Sequence, residues 1–127
     1  MRQRVITTGR TASPGSAVGT VRTVGKEKLE PLDRYEELKD RFSEGDILLV
    51  YKMYPRLTSL GKKADAILTY ADSSLTGIAA MFSRETGTPC VIGLESISDI
   101  EDGDTIVVKT GEGLDINDER TGRVLAP

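Results

Sequence analysis

No histidine occurs among the 127 residues. Without an imidazole the chain can form no Ser–His pair, supply no His metal ligand and carry no phosphoryl group on a ring nitrogen. A single cysteine, Cys90, excludes an internal disulfide framework and a cysteine metal cluster. Long hydrophobic runs are also missing: no stretch approaches bilayer-spanning length, and the start Met1–Arg4 lacks a signal-peptide core. The expectation is a soluble, cytoplasmic protein without membrane contact. Basic residues are in slight deficit, 17 Lys and Arg against 20 Asp and Glu, for a net charge of −3. That balance, with a pI near 5.0, argues against a nucleic-acid partner.

What is present suits one domain. The length allows a real core but not two of them. Hydrophobic residues at 38 %, together with 13 glycines, reach an ordinary globular share, so disorder is a poor fit.

Arg4 to Thr8 and Ala17 to Val24 read as short strands, joined by Gly9–Ser16 with a turn at Pro14-Gly15. In the charged stretch Lys26–Glu44, the spacing of Leu32, Tyr35, Leu38 and Phe42 predicts a surface helix. The second half alternates more clearly. Asp46–Tyr51 is a nearly continuous apolar run, the pattern of a strand covered on both faces. Pro55 opens a short helix with Leu57 and Leu60 inward and Gly61 at its end. Ala64–Tyr70 is the next strand. Ser73 or Ser74 then caps a helix whose apolar stripe is Leu75, Ile78, Ala79 and Phe82, stopped by Gly87, and Pro89–Ile92 follows as a third buried strand. Strand and helix alternating with short connections predict a parallel sheet with right-handed crossovers. After a helical turn around Ser96–Ile100, Asp104–Thr110 and Leu114–Asn117 alternate around Gly111-Glu112-Gly113, and Gly122–Leu125 closes the sequence. These hairpin strands, with the first two, predict a separate antiparallel layer. The fold class is therefore α/β with an all-β portion attached.

Several familiar patterns fail on spacing. Gly19 to Lys26 resembles a phosphate loop, but five residues separate Gly19 from Gly25, and Glu27 stands where Ser or Thr would hold magnesium. Gly111 and Gly113 lack the third glycine and following helix of a dinucleotide site. The run Asp99, Glu101, Asp102, Asp104 has its glycine one place early for a calcium loop and no distal Glu. No metal or cofactor is expected. Cys90, inside the third buried strand, reads as a small packed hydrophobe. Asp72 lies between a strand and a helix, beside Ser73, Ser74 and Thr76. Loops at the carboxyl ends of parallel strands are where open α/β sheets bind ligands, and a helix start offers N–H groups to phosphate or carboxylate. This loop either caps its helix or receives such an anion.

Five blocks taken in order carry a resemblance. Gly9-Arg10-Thr11-Ala12-Ser13-Pro14-Gly15-Ser16-Ala17-Val18-Gly19-Thr20-Val21 is similar to the opening of the mobile, or swivelling, phosphohistidine domain of the phosphoenolpyruvate-utilising enzymes. That family includes phosphoenolpyruvate synthase and pyruvate phosphate dikinase. Gly45–Val50 with Pro55, Ala64–Thr69, Ala79–Gly93, and Asp102-Gly103-Asp104 with the hairpin to Gly113 resemble its later blocks. The match spans about Arg4 to Val124, so the whole of residues 1–127 reads as a single mobile domain. The resemblance implies a swivelling β/β/α three-layer domain, a parallel sheet flanked by helices plus a small antiparallel β layer.

The departures are specific. Where the family has Gly-Gly-x-Thr-Ser-His-Ala-Ala, this chain has Ser73-Ser74-Leu75-Thr76-Gly77-Ile78-Ala79-Ala80. Ile78 thus occupies the carrier-histidine position, and no catalytic residue is assigned. Ile78 also continues the apolar stripe and is expected to pack. Arg56 stands where the family has an acidic residue after the proline. Thr76 aligns with a threonine that is a regulatory phosphorylation site in dikinases and synthases of the family. The nucleotide-grasp domain and the phosphoenolpyruvate-binding barrel of the full-length enzymes have no counterpart in these residues. The resemblance therefore implies a stand-alone swivelling domain acting as a binding or regulatory module, not an enzyme by itself. Asp72, Ser73, Ser74, Thr76 and Gly77 would meet a protein partner or a small anionic ligand. The alternative is a separately encoded component of a phosphoenolpyruvate synthase-like phosphotransferase, or a small subunit of another enzyme.

Overall fold

The apolar runs of the second half form the centre of the molecule. The computed structural model describes residues 4–23, 34–71, 74–110 and 121–127. β3 (Ile47–Val50), β4 (Ala66–Thr69) and β5 (Cys90–Ile92) are buried at every residue and pair in parallel, β3 on β4 and β4 on β5. Such strands must be apolar on both sides because both faces are covered.

The two faces have different covers. Leu48, Val50, Ile67, Cys90 and Ile92 point to the helical side. There they meet Leu38 of α1 (Tyr35–Arg41), Leu57 of a 3-10 turn (Pro55–Leu57), Leu60 of α2 (Thr58–Gly61), and Ala79 and Ala80 of α3 (Ile78–Thr86). Ile47, Leu49, Ala66, Leu68 and Val91 point the other way, onto Ile106 and Val108 of β6 (Thr105–Thr110) and Val124 of β7 (Gly122–Leu125). Each buried Leu or Ile in these clusters stabilises the fold by roughly 1.5–3 kcal/mol relative to an exposed one.

The expected separate antiparallel layer is instead joined to the parallel strands in a closed seven-stranded barrel, ordered β1-β5-β4-β3-β2-β6-β7. Two long strands make the closure. β1 (Val5–Ser13) pairs with β7 through Gly9 and then with β5 from Arg10 onward. β2 (Ser16–Arg22) pairs antiparallel with β6 up to Thr20, then parallel with β3 at Val21 and Arg22. The sequence predicts that the first strand ends at Thr8 and that Gly9–Ser16 connects it to the next, with Gly9–Ser13 in that connection. In fact those residues continue β1, because a polar, glycine-containing segment can still be extended when a neighbour supplies the ladder. Gly9 sits where β1 changes partners, and a Cβ there would lie 2.7 Å from the Ile92 carbonyl oxygen. Only glycine permits that approach.

Elsewhere the expectations divide. The short helix opened by Pro55 is present, as the 3-10 turn running into α2, with Leu57 and Leu60 buried. Gly87 ends α3 with a left-handed φ of 71°. Around Ser96–Ile100 there is only a turn, closed by Ile100 N–H donating to the Ile97 carbonyl at 3.1 Å. β6 pairs with β7, Lys109 opposite Arg123 and Thr110 opposite Gly122. The expected Leu114–Asn117 strand and its Gly111-Glu112-Gly113 turn lie outside the described residues, as do Leu32 and the start of the charged stretch.

Charged groups tie the base of the barrel. Asp46 accepts from Arg22 Nε at 3.2 Å and from the Ser43 N–H at 2.9 Å. Asp102 pairs with Arg41 and accepts the Thr23 N–H at 2.9 Å, and Arg41 Nη2 donates to the Thr23 carbonyl at 2.8 Å. The acidic run Asp99–Asp104 thus supplies a strand-to-helix clamp. Among the described residues no group of three or more acidic, His or Cys residues could hold a metal ion.

Candidate functional site

The carboxyl ends of β3, β4 and β5 come out at one edge of the barrel. The Ala71 N–H donates to the Tyr51 carbonyl at 2.9 Å, and the Leu94 N–H to the Thr69 carbonyl at 3.0 Å, so the three exits are bound together. Tyr51 and Tyr70, the residues immediately after β3 and β4, meet edge to face with ring centroids 5.5 Å apart. Burial, and then the neighbouring Tyr51 phenol, push the Tyr70 phenol above its ordinary value of 10.0. Tyr70 is therefore a neutral hydroxyl at all physiological pH. It borders a cleft of about 390 Å³ with Leu94, Glu95, Ser96, Ile97 and Ser98. Neither tyrosine is among the site residues that the sequence alone points to. Their signal was position: each directly follows an apolar run, where a parallel strand opens into a ligand-bearing edge.

The loop leading to α3 leaves the same edge. Asp72 and Ser73, two of the expected site residues, lie outside the described residues. Ser74, Thr76 and Gly77 come together in one turn. Ser74 Oγ accepts the Thr76 N–H at 3.2 Å and lies 3.0 Å from Thr76 Oγ1, while the Gly77 N–H donates to the Ser74 carbonyl at 3.2 Å. Because this local turn takes up the Ser74 hydroxyl, Ser74 does not cap α3 as expected. Gly77 occupies the N-cap in an extended conformation, with no side-chain cap. The helix starts at Ile78, so the first-turn N–H groups of Ile78, Ala79 and Ala80 stand ahead of the i−4 ladder. A hydroxyl-bearing turn followed by a helix start can hold an oxyanion.

Arg84 braces this loop from α3. Its Nη1 donates to the Leu75 carbonyl at 2.9 Å and its Nε to the Ala12 carbonyl of β1, also at 2.9 Å. Nothing in the sequence pattern singled it out. Arg56 lies over the Tyr35 ring, 5.2 Å from its centroid.

Ile78 is the main correction at the site. The stripe Leu75, Ile78, Ala79, Phe82 predicts a packed isoleucine, but of these four only Ala79 is fully buried, and Ile78 is 41 % exposed. A helix that starts at Ile78 turns residues 79, 80 and 83 to the core, which sends 78 and 81 outward. Met81 is 56 % exposed beside it. With Pro55, Thr58, Phe82 and Glu85 they line a shallow groove of about 360 Å³. Cys90 is fully buried, as a packed hydrophobe should be.

The profile described as "PEP-utilising enzyme, mobile domain" matches residues 42–113, which is more than half of the chain. The chain belongs to the mobile-domain family of the PEP-utilising enzymes. Relatives include a probable phosphoenolpyruvate synthase of Archaeoglobus fulgidus, 32 % identical over 112 residues that make up 87 % of this chain and 14 % of that protein. The phosphoenolpyruvate synthase of Pyrococcus furiosus is 35 % identical over 111 residues, 87 % of this chain and 12 % of that protein. This mobile domain therefore spans about one seventh or less of the relatives it matches. In fold it is similar to a chain of Thermococcus kodakaraensis aconitase X, with a TM-score of 0.56 at 17 % identity, covering 95 % of this chain and 98 % of that one. No helix among the described residues is long and apolar enough to cross a membrane.

Proposed function

We infer that this mobile domain is a binding or regulatory module that has kept the family framework and cannot carry a phosphohistidine. The observation that carries the reading is Ile78. By the resemblance of Ser73–Ala80 to the family loop it would take the carrier-histidine position, and it is exposed at the head of α3. A side chain in that place faces outward to reach a second molecule. Isoleucine has no lone pair to accept a phosphoryl group, but it can bury apolar surface against a partner. Ser73, Ser74, Thr76 and Gly77, with Asp72, would form the polar rim of that contact or take a small anion. A hydroxyl in the loop could accept a phosphoryl group, but a phosphate ester has too low a transfer potential to return it to pyruvate or a nucleotide.

Thr76 is the regulatory position in this reading. It is exposed in the turn before α3, and a phosphate there would sit against the positive end of the helix. The module would act in the cytoplasm through a protein partner, without nucleic acid, membrane or cofactor.

A second reading is a separately encoded component of a phosphoenolpyruvate synthase-like phosphotransferase, or a small subunit of another enzyme. Its support is the likeness in fold to a chain of aconitase X that is matched over 98 % of its length. A photo-crosslinking residue placed at position 78 separates the readings from a free-standing anion binder. Crosslinking in host extract from position 78, and not from the more exposed position 18 (61 % against 41 %), supports docking through the α3 head. Equal yields from both positions would reject it. Recovery of a large catalytic subunit in fixed stoichiometry would favour the second reading.

A further inference from the structure

We propose that the antiparallel side of the barrel carries an oxyanion site, separate from the α3 loop, suited to a phosphate dianion free or as a small monoester. Four residues follow one another across four adjacent strands: Ser16 of β2 opposite Lys109 of β6, Lys109 opposite Arg123 of β7, and Arg123 opposite Thr8 of β1. Directly opposed residues project from the same face. The row therefore presents two cations between two hydroxyls, with no carboxylate among them. Like charges placed directly opposite each other in a ladder destabilise it. Neither Lys109 nor Arg123 has an acidic partner among the described residues to offset that repulsion. An anion bridging the two would turn the repulsion into charge-assisted hydrogen bonds, the guanidinium offering a fork and the ammonium a point charge.

The surroundings are shaped for a small ligand. Lys109 and Arg123, with Thr110, Ser16 and the Pro14-Gly15 turn, line a hollow of about 460 Å³. Thr110 fastens the turn: its Oγ1 accepts the Gly15 N–H at 2.6 Å and its backbone N–H donates to the Gly15 carbonyl at 3.1 Å. The next row on this face is apolar, Val18 opposite Val107, Val107 opposite Leu125 and Leu125 opposite Val5. Val107 and Leu125 in the middle of that row are 5 % and 4 % exposed, while Val18 and Val5 at its ends are 61 % and 48 % exposed, so water is kept from the cation pair along the centre of the row, which strengthens its attraction for an anion there. The hollow is at the other end of the barrel from the α3 loop, since Gly15 lies against Pro89, just before β5 begins.

The test is an amide chemical-shift titration with inorganic phosphate at fixed ionic strength, with chloride as control. The expected result is a saturable shift centred on Gly15, Ser16, Lys109, Thr110 and Arg123. The K109Q/R123Q variant should bind at least about tenfold more weakly, with an unchanged amide spectrum elsewhere. Repeating the titration with glycerol phosphate separates the two sources: tighter saturation assigns the monoester, weaker saturation the free ion. Shifts that are linear, that chloride reproduces, or that centre on Thr76–Ala80 would overturn the proposal. The wild-type comparison of phosphate with chloride stands even if the double variant does not fold.

Discussion

The side chain of Arg84 joins the Leu75 carbonyl to the barrel, donating from Nη1 at 2.9 Å while its Nε holds the Ala12 carbonyl. One residue of α3 therefore couples the conformation of the candidate loop to β1. Among the described residues the loop's own bonds include the exposed Thr76 N–H to Ser74 Oγ, the Ser74–Thr76 hydroxyl pair and the Gly77 N–H to the Ser74 carbonyl. Replacing Arg84 by Ala should lower global stability by about 1–3 kcal/mol, the usual cost of losing hydrogen bonds from a charged donor. The larger effect should be local. Amide exchange at Thr76 and Gly77 should speed up by about tenfold or more, with little change in β3 and β4. Uniform loss of protection across the barrel would contradict the bracing role.

Ile78 and Leu48 test the division between site and core. Ile78→Ser should change the unfolding free energy by no more than about 1 kcal/mol, because the side chain is far from fully buried. Leu48, buried between β3 and the helices, should cost about 2–5 kcal/mol as Leu48→Ala. Urea denaturation of the two variants side by side reads both numbers. Equal losses would mean that Ile78 is a packing residue.

Gly9→Ala probes the strand that changes partners. The added Cβ would meet the Ile92 carbonyl oxygen at 2.7 Å and Val91 Cγ1 at 2.8 Å. The ladder between β1 and β5 has to give way, at a cost of about 1–3 kcal/mol. Amide exchange in this variant should rise first at Arg10 and Thr11.

Tyr70 gives a pH dependence with a definite sign. Its folded pKa lies above the unfolded value of 10.0, so the native state holds its proton longer than the unfolded chain. Its contribution to stability is complete below about pH 10 and is lost as pH rises through the folded pKa. Ultraviolet titration should show one tyrosine ionising later than ordinary. Tyr51→Phe should reduce that delay only in part, since burial is the larger cause and the Tyr51 phenol the smaller.

The parts of the fold that were legible in the sequence were those with one strong local signal. β3, β4 and β5 announce themselves as unbroken apolar runs, and Pro55 and Gly87 mark a helix start and stop. The closure of the barrel had no such mark. Gly9–Ser13 is polar and turn-like in composition, and it is a strand only because β5 lies beside it. The start of α3 was misplaced for a related reason: Ser74 is a good cap by type, but its hydroxyl is taken by Thr76 two residues on. That shift of the helix start turned Ile78 from an expected packing residue into an exposed one. At the site, the loop was legible from its place after β4, whereas Arg84 and the Tyr51–Tyr70 contact arise from tertiary neighbours that no spacing reveals.

Without a histidine this mobile domain can carry no phosphoryl group of the phosphohistidine kind. Intact-mass analysis after incubation with phosphoenolpyruvate or ATP and a full-length phosphoenolpyruvate synthase, with mapping of any modified peptide, tests it directly. No acid-labile phosphoryl group should form, and any phosphate should be acid-stable and located at Thr76. A rapidly formed, acid-labile phosphoryl group that returns to pyruvate would contradict it.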